Sequence, residues 1–146
     1  MLRNYYRSVV RMGGLYDLLV TVVFATPWTF ELVHQQLTKF STLPTFEPMH
    51  VMFANLLGSI VTVWSILRIR NPEPIYGLYD GVARGLFLAW MLYYLLAMNG
   101  SPLVWFFTFF EIVFGITQCY GYWLLRKVEW REPTNCKVVR YFALVS

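Results

Sequence analysis

Charge is what this 146-residue chain has least of: 12 Lys and Arg with 8 Asp and Glu amount to 14% of the sequence, where soluble domains carry about 25%. A water-soluble fold this small has too little interior to hide a sequence that is 58% hydrophobic and 19% aromatic, so the expected solvent is lipid. Cysteine is nearly absent. Cys119 and Cys136 form no CxxC pair and have no metal-ligand spacing, which argues against a disulfide scaffold or a thiol-redox centre. There are two histidines, and no Gly-rich phosphate loop, Walker pattern or nucleophile elbow, so the chemistry of familiar soluble enzymes is not indicated.

What the chain does have is long apolar stretches, with a mean hydropathy of +0.49. Four stand out: Leu15 to Phe30, Val51 to Leu67, Gly81 to Met98 and Leu103 to Leu125. Each approaches the roughly 20 residues a helix needs to cross a bilayer. Breakers separate them: Pro44 and Pro48, then Asn71, Pro72 and Pro74, then Asn99, Gly100, Ser101 and Pro102. The basic start MLRNYYRSVVRMGGLYDLL lacks a short apolar core followed by a small-residue cleavage site, and the N-terminus is expected to stay attached. The fold class expected is an all-α membrane protein, a four-helix transmembrane bundle over residues 1–130, followed by a basic cytoplasmic tail over 131–146.

Basic residues suggest an orientation. Arg3, Arg7 and Arg11 precede the first stretch, Arg68, Arg70 and Arg84 flank the middle turn, and Arg126, Lys127, Arg131, Lys137 and Arg140 follow the last, with Lys39 alone on the other side. By the positive-inside rule both termini are cytoplasmic. The net charge of +4 is then explained by topology and anionic headgroups, and nucleic acid is not an expected partner.

Gly14-Leu15-Tyr16-Asp17 recurs as Gly77-Leu78-Tyr79-Asp80, and each hairpin closes on a Trp followed by an Arg: Trp64 with Arg68, Trp123 with Arg126. This is either a duplication into two parallel helical hairpins or an echo thrown up by aromatic-rich spans. These hairpins, with Pro44 to His50 leading into Asn55-Leu56-Leu57-Gly58-Ser59, resemble small bacterial four-helix inner-membrane proteins of the DoxX-like kind. The resemblance covers Gly14 to Lys127 and implies a bacterial inner-membrane location and an association with quinone-linked or thiol-linked oxidoreductases. The paired cysteines of the thiol-linked members are missing here.

Polar groups inside an apolar span are costly and mark candidate sites. Glu111 shares a helix face with Thr108, Gly115, Gln118 and Tyr122, and the second stretch carries a matching stripe in Asn55, Gly58, Ser59 and Thr62. At similar depths, Asn55 and Glu111 are expected to meet across the helices. Glu111 is then either a neutral structural acid or a proton-handling or ligand-orienting carboxyl, with no cation expected nearby. Asn55, Glu111, Thr108, Gln118 and Trp90 form the candidate ligand site, for a quinone-like molecule or a lipid. Near the inner end Asp80 and Arg84 stand at i, i+4 with Asp17 at similar depth, and an Asp17–Arg84–Asp80 clamp is expected.

On the outer side Glu31 with His34, and Glu47 with His50, both have the Glu-x-x-His spacing that binds metal in di-iron bundles. They are either a metal site or solvated interface residues. The leading functional expectation is binding of a hydrophobic small molecule or lipid. The alternatives are an accessory subunit of a larger membrane complex and a membrane oxidoreductase or isomerase using the Glu-x-x-His segments; a homo-oligomer fits any of the three.

Overall fold

The structure is a computed structural model that describes residues 1–41 and 43–131, with side chains described through residue 128. The segment 132–146, with Cys136, Lys137, Arg140 and nearly all of the expected basic tail, lies outside the described residues. Everything described is helix and short connection: α1 Leu2–Thr21, a single 3-10 turn Val22–Phe24, α2 Pro27–Leu37, α3 Pro48–Arg70, α4 Pro74–Ala97 and α5 Val104–Arg131.

Local chemistry explains most boundaries. Pro27, Pro48 and Pro74 each open a helix, where a missing N–H costs nothing. The hydroxyl of Thr26 accepts the Thr29 N–H at 3.3 Å, and His50 Nδ1 accepts the Glu47 N–H at 3.3 Å at the start of α3. α4 ends at Ala97; just beyond it Asn99 has a left-handed φ of 50°, and the Gly100 N–H reaches back to the Tyr94 carbonyl at 2.8 Å. Asn is among the few residues that take this cap conformation cheaply.

The first apolar stretch departs from expectation at both ends. The helix begins at Leu2, so Arg3, Arg7 and Arg11 lie inside α1 instead of preceding it. Their i, i+4 spacing puts them on one face, where Arg7 pairs with Glu73 at 2.5 Å and Arg11 donates to the Ile69 carbonyl at 3.3 Å. The same stretch is not one straight span to Phe30: the chain bends by 96° between Leu2–Phe24 and Pro27–Leu37. Thr26, preceding a proline, is held extended at φ −132°, ψ 150°, and the helix cannot run through it.

Two helices are long and apolar enough to cross a membrane, Pro48–Arg70 and Val104–Val128, with 18-residue mean hydropathies of 1.6 and 1.2; the bent α1–α2 pair makes a third if taken as one span. α4 has the length at 24 residues, but Asp80, Arg84 and its tyrosines lower its hydropathy.

α1 packs against α3 on one side and against α4 and α5 on another, and the closest pairs are α1 with α3 and α4 with α5. Glycine permits the close approach: a Cβ on Gly14 would stand 3.1 Å from the Ser65 carbonyl of α3, and one on Gly58 only 2.6 Å from the Phe24 backbone. A small apolar cluster of Tyr6, Val10 and Leu125 closes one end, and the Tyr6 hydroxyl donates to the Gln118 carbonyl at 2.8 Å. Apart from Phe30 and Leu95, the other buried side chains are polar or charged. Besides five buried hydrophobic residues, the buried set contains Asp17, Ser65, Arg68, Asp80, Arg84, Thr108, Glu111 and Gln118, while the large apolar side chains of α3, α4 and α5 mostly face outward. That is the reverse of a soluble domain, and it places the charged residues where the helices meet.

Candidate functional site: a buried ion network and an outer groove

Four helices each send charge or an amide into one cluster. Arg84 of α4, 2% exposed, reaches three acids: Asp17 at 2.6 Å, Asp80 at 3.1 Å one turn back on its own helix, and Glu111 of α5 at 3.1 Å. Arg68 of α3, 0% exposed, pairs with Asp17 at 2.5 Å and with Asp80. Asp80 also accepts the Gln118 amide at 2.7 Å and the Trp64 indole N–H at 3.2 Å. Aromatic rings cover both guanidiniums. Arg84 lies 5.0 Å from the centroid of Phe114 and 5.9 Å from that of Tyr16, and Arg68 lies 5.6 Å from that of Trp64. Planar guanidinium groups suit such a place, since each can fork to two carboxylates and still stack on a ring.

Backbone approach makes room for the network. A Cβ on Gly13 would lie 2.6 Å from the Gln118 amide nitrogen, and one on Gly81 equally close to Cys119 Sγ. α1 therefore presents Asp17 to both arginines one turn beyond a glycine pair. Buried charges cost heavily unless paired and hydrogen-bonded, and these are densely paired. Three groups here have no hydrogen-bond or ion-pair partner among the described residues: Arg68 Nε, the Tyr16 hydroxyl and one on Gln118. The side-chain carbonyl oxygen of Gln118, a residue with no exposed surface, is buried with no hydrogen-bond partner among the described residues.

The structure brings Asp17, Asp80 and Arg84 together and adds two residues to them from the expected ligand site, Glu111 and Gln118. The expectation that Glu111 has no cation nearby is corrected, because Arg84 is its partner. The expected Asn55–Glu111 contact also gives way. Asn55 donates to the Phe24 carbonyl at 2.8 Å, and α1 lies between the helices that carry the two residues. Thr108 shares the inward face of Glu111 but spends its hydroxyl on the Val104 carbonyl at 2.9 Å. Trp90 lines nothing internal: it is 62% exposed, with Tyr93 edge-on to its ring at 6.3 Å.

Sequence reading missed Arg68, taking it as a headgroup-facing charge. A signal was present: the α3 stripe at 55, 58 and 62 continues at helical spacing through Ser65 to Arg68, so the arginine had to face the same neighbour as the small residues. Tyr16 and Trp64, the ring partners, carry no such mark.

At the end of the molecule where α2 meets α3 a groove of about 470 Å³ is lined by Pro27, Phe46, Pro48, Val51, Met52, Asn55, Leu56 and Ser59. It is apolar except at Asn55 and Ser59, and it lies beside the α1–α2 bend. The Glu-x-x-His residues border this region without converging. His34 Nε2 meets the Pro44 carbonyl at 3.1 Å, Glu31 accepts from Gln35 at 3.3 Å, and His50 caps its own helix against Glu47. Phe46 sits between the imidazoles, 5.0 Å from the ring of His34 and 6.4 Å from that of His50. Among the described residues no three His, Cys, Asp or Glu side chains gather as a metal site.

Fold and site define a helical protein with an apolar exterior and an ionic interior, two of whose helices could cross a membrane. No protein-family model, curated protein or solved structure matches the chain.

Proposed function

We propose that the chain is an integral membrane protein of four spans, α1, α3, α4 and α5, with both termini cytoplasmic, and that it binds a hydrophobic small molecule with a polar end, quinone-like, in the outer groove. The observation that carries this reading is the groove itself. At about 470 Å³ it lies within the roughly 300–1,000 Å³ usual for small-molecule sites, its walls are apolar, and its polar groups are Asn55 and Ser59. The Asn55 amide gives one N–H to the Phe24 carbonyl and has a second donor and an acceptor to offer a ligand oxygen. Glu111 leaves the ligand site and acts instead within the ion network.

The four-span reading is supported by the inverted interior and by the corresponding roles of Asp17 and Asp80, each gripping Arg68 and Arg84. That correspondence favours two parallel hairpin repeats and, with them, the DoxX-like resemblance.

The test is photolabelling of the detergent-purified full chain with an azidoquinone, with adducts mapped by mass spectrometry. Adducts on α3 between Met52 and Ser59, lost in Ser59→Phe, are expected, because an exposed serine can take a ring that fills the groove. Labelling that Ser59→Phe leaves unchanged, or that maps elsewhere, would remove the groove from the site. A stoichiometric protein partner with no labelling would favour the accessory-subunit alternative.

A further inference from the structure

The five charged groups of the interior do not balance. Asp17, Asp80 and Glu111 face Arg68 and Arg84, each at least nine-tenths buried, so full ionisation leaves one negative charge over. Away from water such a surplus is not left uncompensated. A second observation is independent of the charge count: the buried Gln118 amide donates to Asp80 while its carbonyl oxygen has no donor among the described residues. Buried acceptors are normally satisfied. The network is thus short of one positive charge, which a proton supplies, and Gln118 Oε1 stands within it as an open acceptor while Arg68 Nε and the Tyr16 hydroxyl are buried donors without a partner among the described residues.

We propose that this network binds one exchangeable proton, seated on Glu111. The three carboxylates are held differently. Asp80 receives Arg68, Arg84, Gln118 and Trp64; Asp17 receives both arginines; Glu111 receives Arg84 alone. Ionised Asp80 and Asp17 each have two guanidiniums to answer them, so the least compensated carboxylate takes the proton. The groups facing Glu111 are Arg84 and Asp80 from α4 and Tyr16 and Asp17 from α1, with Arg68 of α3 behind the aspartates and Thr108 and Gln118 on its own helix. The reaction is carboxylate plus proton giving carboxylic acid, with water as the proton source and no electron transfer. The unpartnered amide oxygen of Gln118 lies two turns along the same face of α5. The proposal concerns a different site from the groove and stands or falls separately from ligand binding there.

Infrared difference spectroscopy of the full chain in lipid nanodiscs reads this directly, because a protonated carboxyl has a C=O stretch clear of carboxylate bands. Asp17 and Asp80 are the chain's only aspartates, so carboxyl-13C aspartate labels the network aspartates and nothing else. At neutral pH a protonated-carboxyl band is expected that shifts with 13C-glutamate, does not move with 13C-aspartate, disappears at high pH, and is absent in Glu111→Gln. If Glu111→Gln does not fold, the two isotope labels in the native sequence still decide. Absence of the band at neutral pH overturns the proposal, as does a band that follows the aspartate label or persists in folded Glu111→Gln. A band abolished by exchanging choline for sodium at constant pH would mean that a metal cation fills the charge deficit, and would overturn it equally.

Discussion

Arg84 is the residue whose removal tests the network most directly. Arg84→Met keeps a straight side chain able to lie against Phe114 and Tyr16 but deletes the guanidinium shared by Asp17 at 2.6 Å, Asp80 at 3.1 Å and Glu111 at 3.1 Å. By formal charge the network goes from one surplus negative charge to two. Removing one partner of a buried pair costs about 3–5 kcal/mol, chiefly because the other partner is stranded. That raises the unfolding constant by about two to three and a half powers of ten. Asp17→Asn should cost clearly less, since an amide still accepts from both arginines and the change lowers the surplus. The double variant Arg84→Met, Asp17→Asn returns the formal surplus to that of the native chain, and should be more stable than Arg84→Met alone by about 1–3 kcal/mol of coupling. The assay is reversible denaturation in mixed micelles followed by circular dichroism, with all variants at one pH. Arg84→Met within about 0.5 kcal/mol of the native chain, or a double variant that is merely additive, would refute the account of Arg84 as the shared cation.

Two further outcomes follow from the same geometry. Gly13→Val should lower stability by about 1–3 kcal/mol, because its first carbon would already stand 2.6 Å from the Gln118 amide and would push it off Asp80. Gly85→Ala, with nothing within 4 Å of the new methyl, should be neutral or stabilising by up to about 1 kcal/mol, and equal losses at the two glycines in thermal melts would contradict the packing. For orientation, single cysteines at Lys39 and Asn99 in a cysteine-free background should react with an impermeant maleimide in intact cells, while a variant that keeps Cys136 as its one cysteine should not; labelling of the Cys136 variant alone would invert the topology.

Composition and breakers, both local properties, were enough to tell from the sequence that this is a helical chain with stretches apolar enough to cross a membrane, and where most helices begin. Too few charges for a soluble surface and long apolar runs leave little else, and a proline opens a helix wherever it stands. The i, i+4 spacing of Asp80 and Arg84 is local too, and their pairing was legible for that reason. What the other charges do was decided by the tertiary structure. Arg68 reads in sequence as one of a row of inner-face cations, and Glu111 as a lone acid in a span. Only the approach of α3 to α1 at Gly14, and the packing of α4 against α5, bring Arg68 to Asp17 and Arg84 to Glu111 across separations of 51 and 27 residues. Asn55 and Glu111 matched in depth and polarity, yet depth along a helix says nothing of which helix lies between, and α1 separates them. The bend at Thr26 and Pro27 was written in the sequence, but an apolar run on both sides of it disguised a break as a span. Hydropathy measures what a segment is made of, whereas the partner of a buried charge depends on interhelical distances that glycine contacts set far away in the chain.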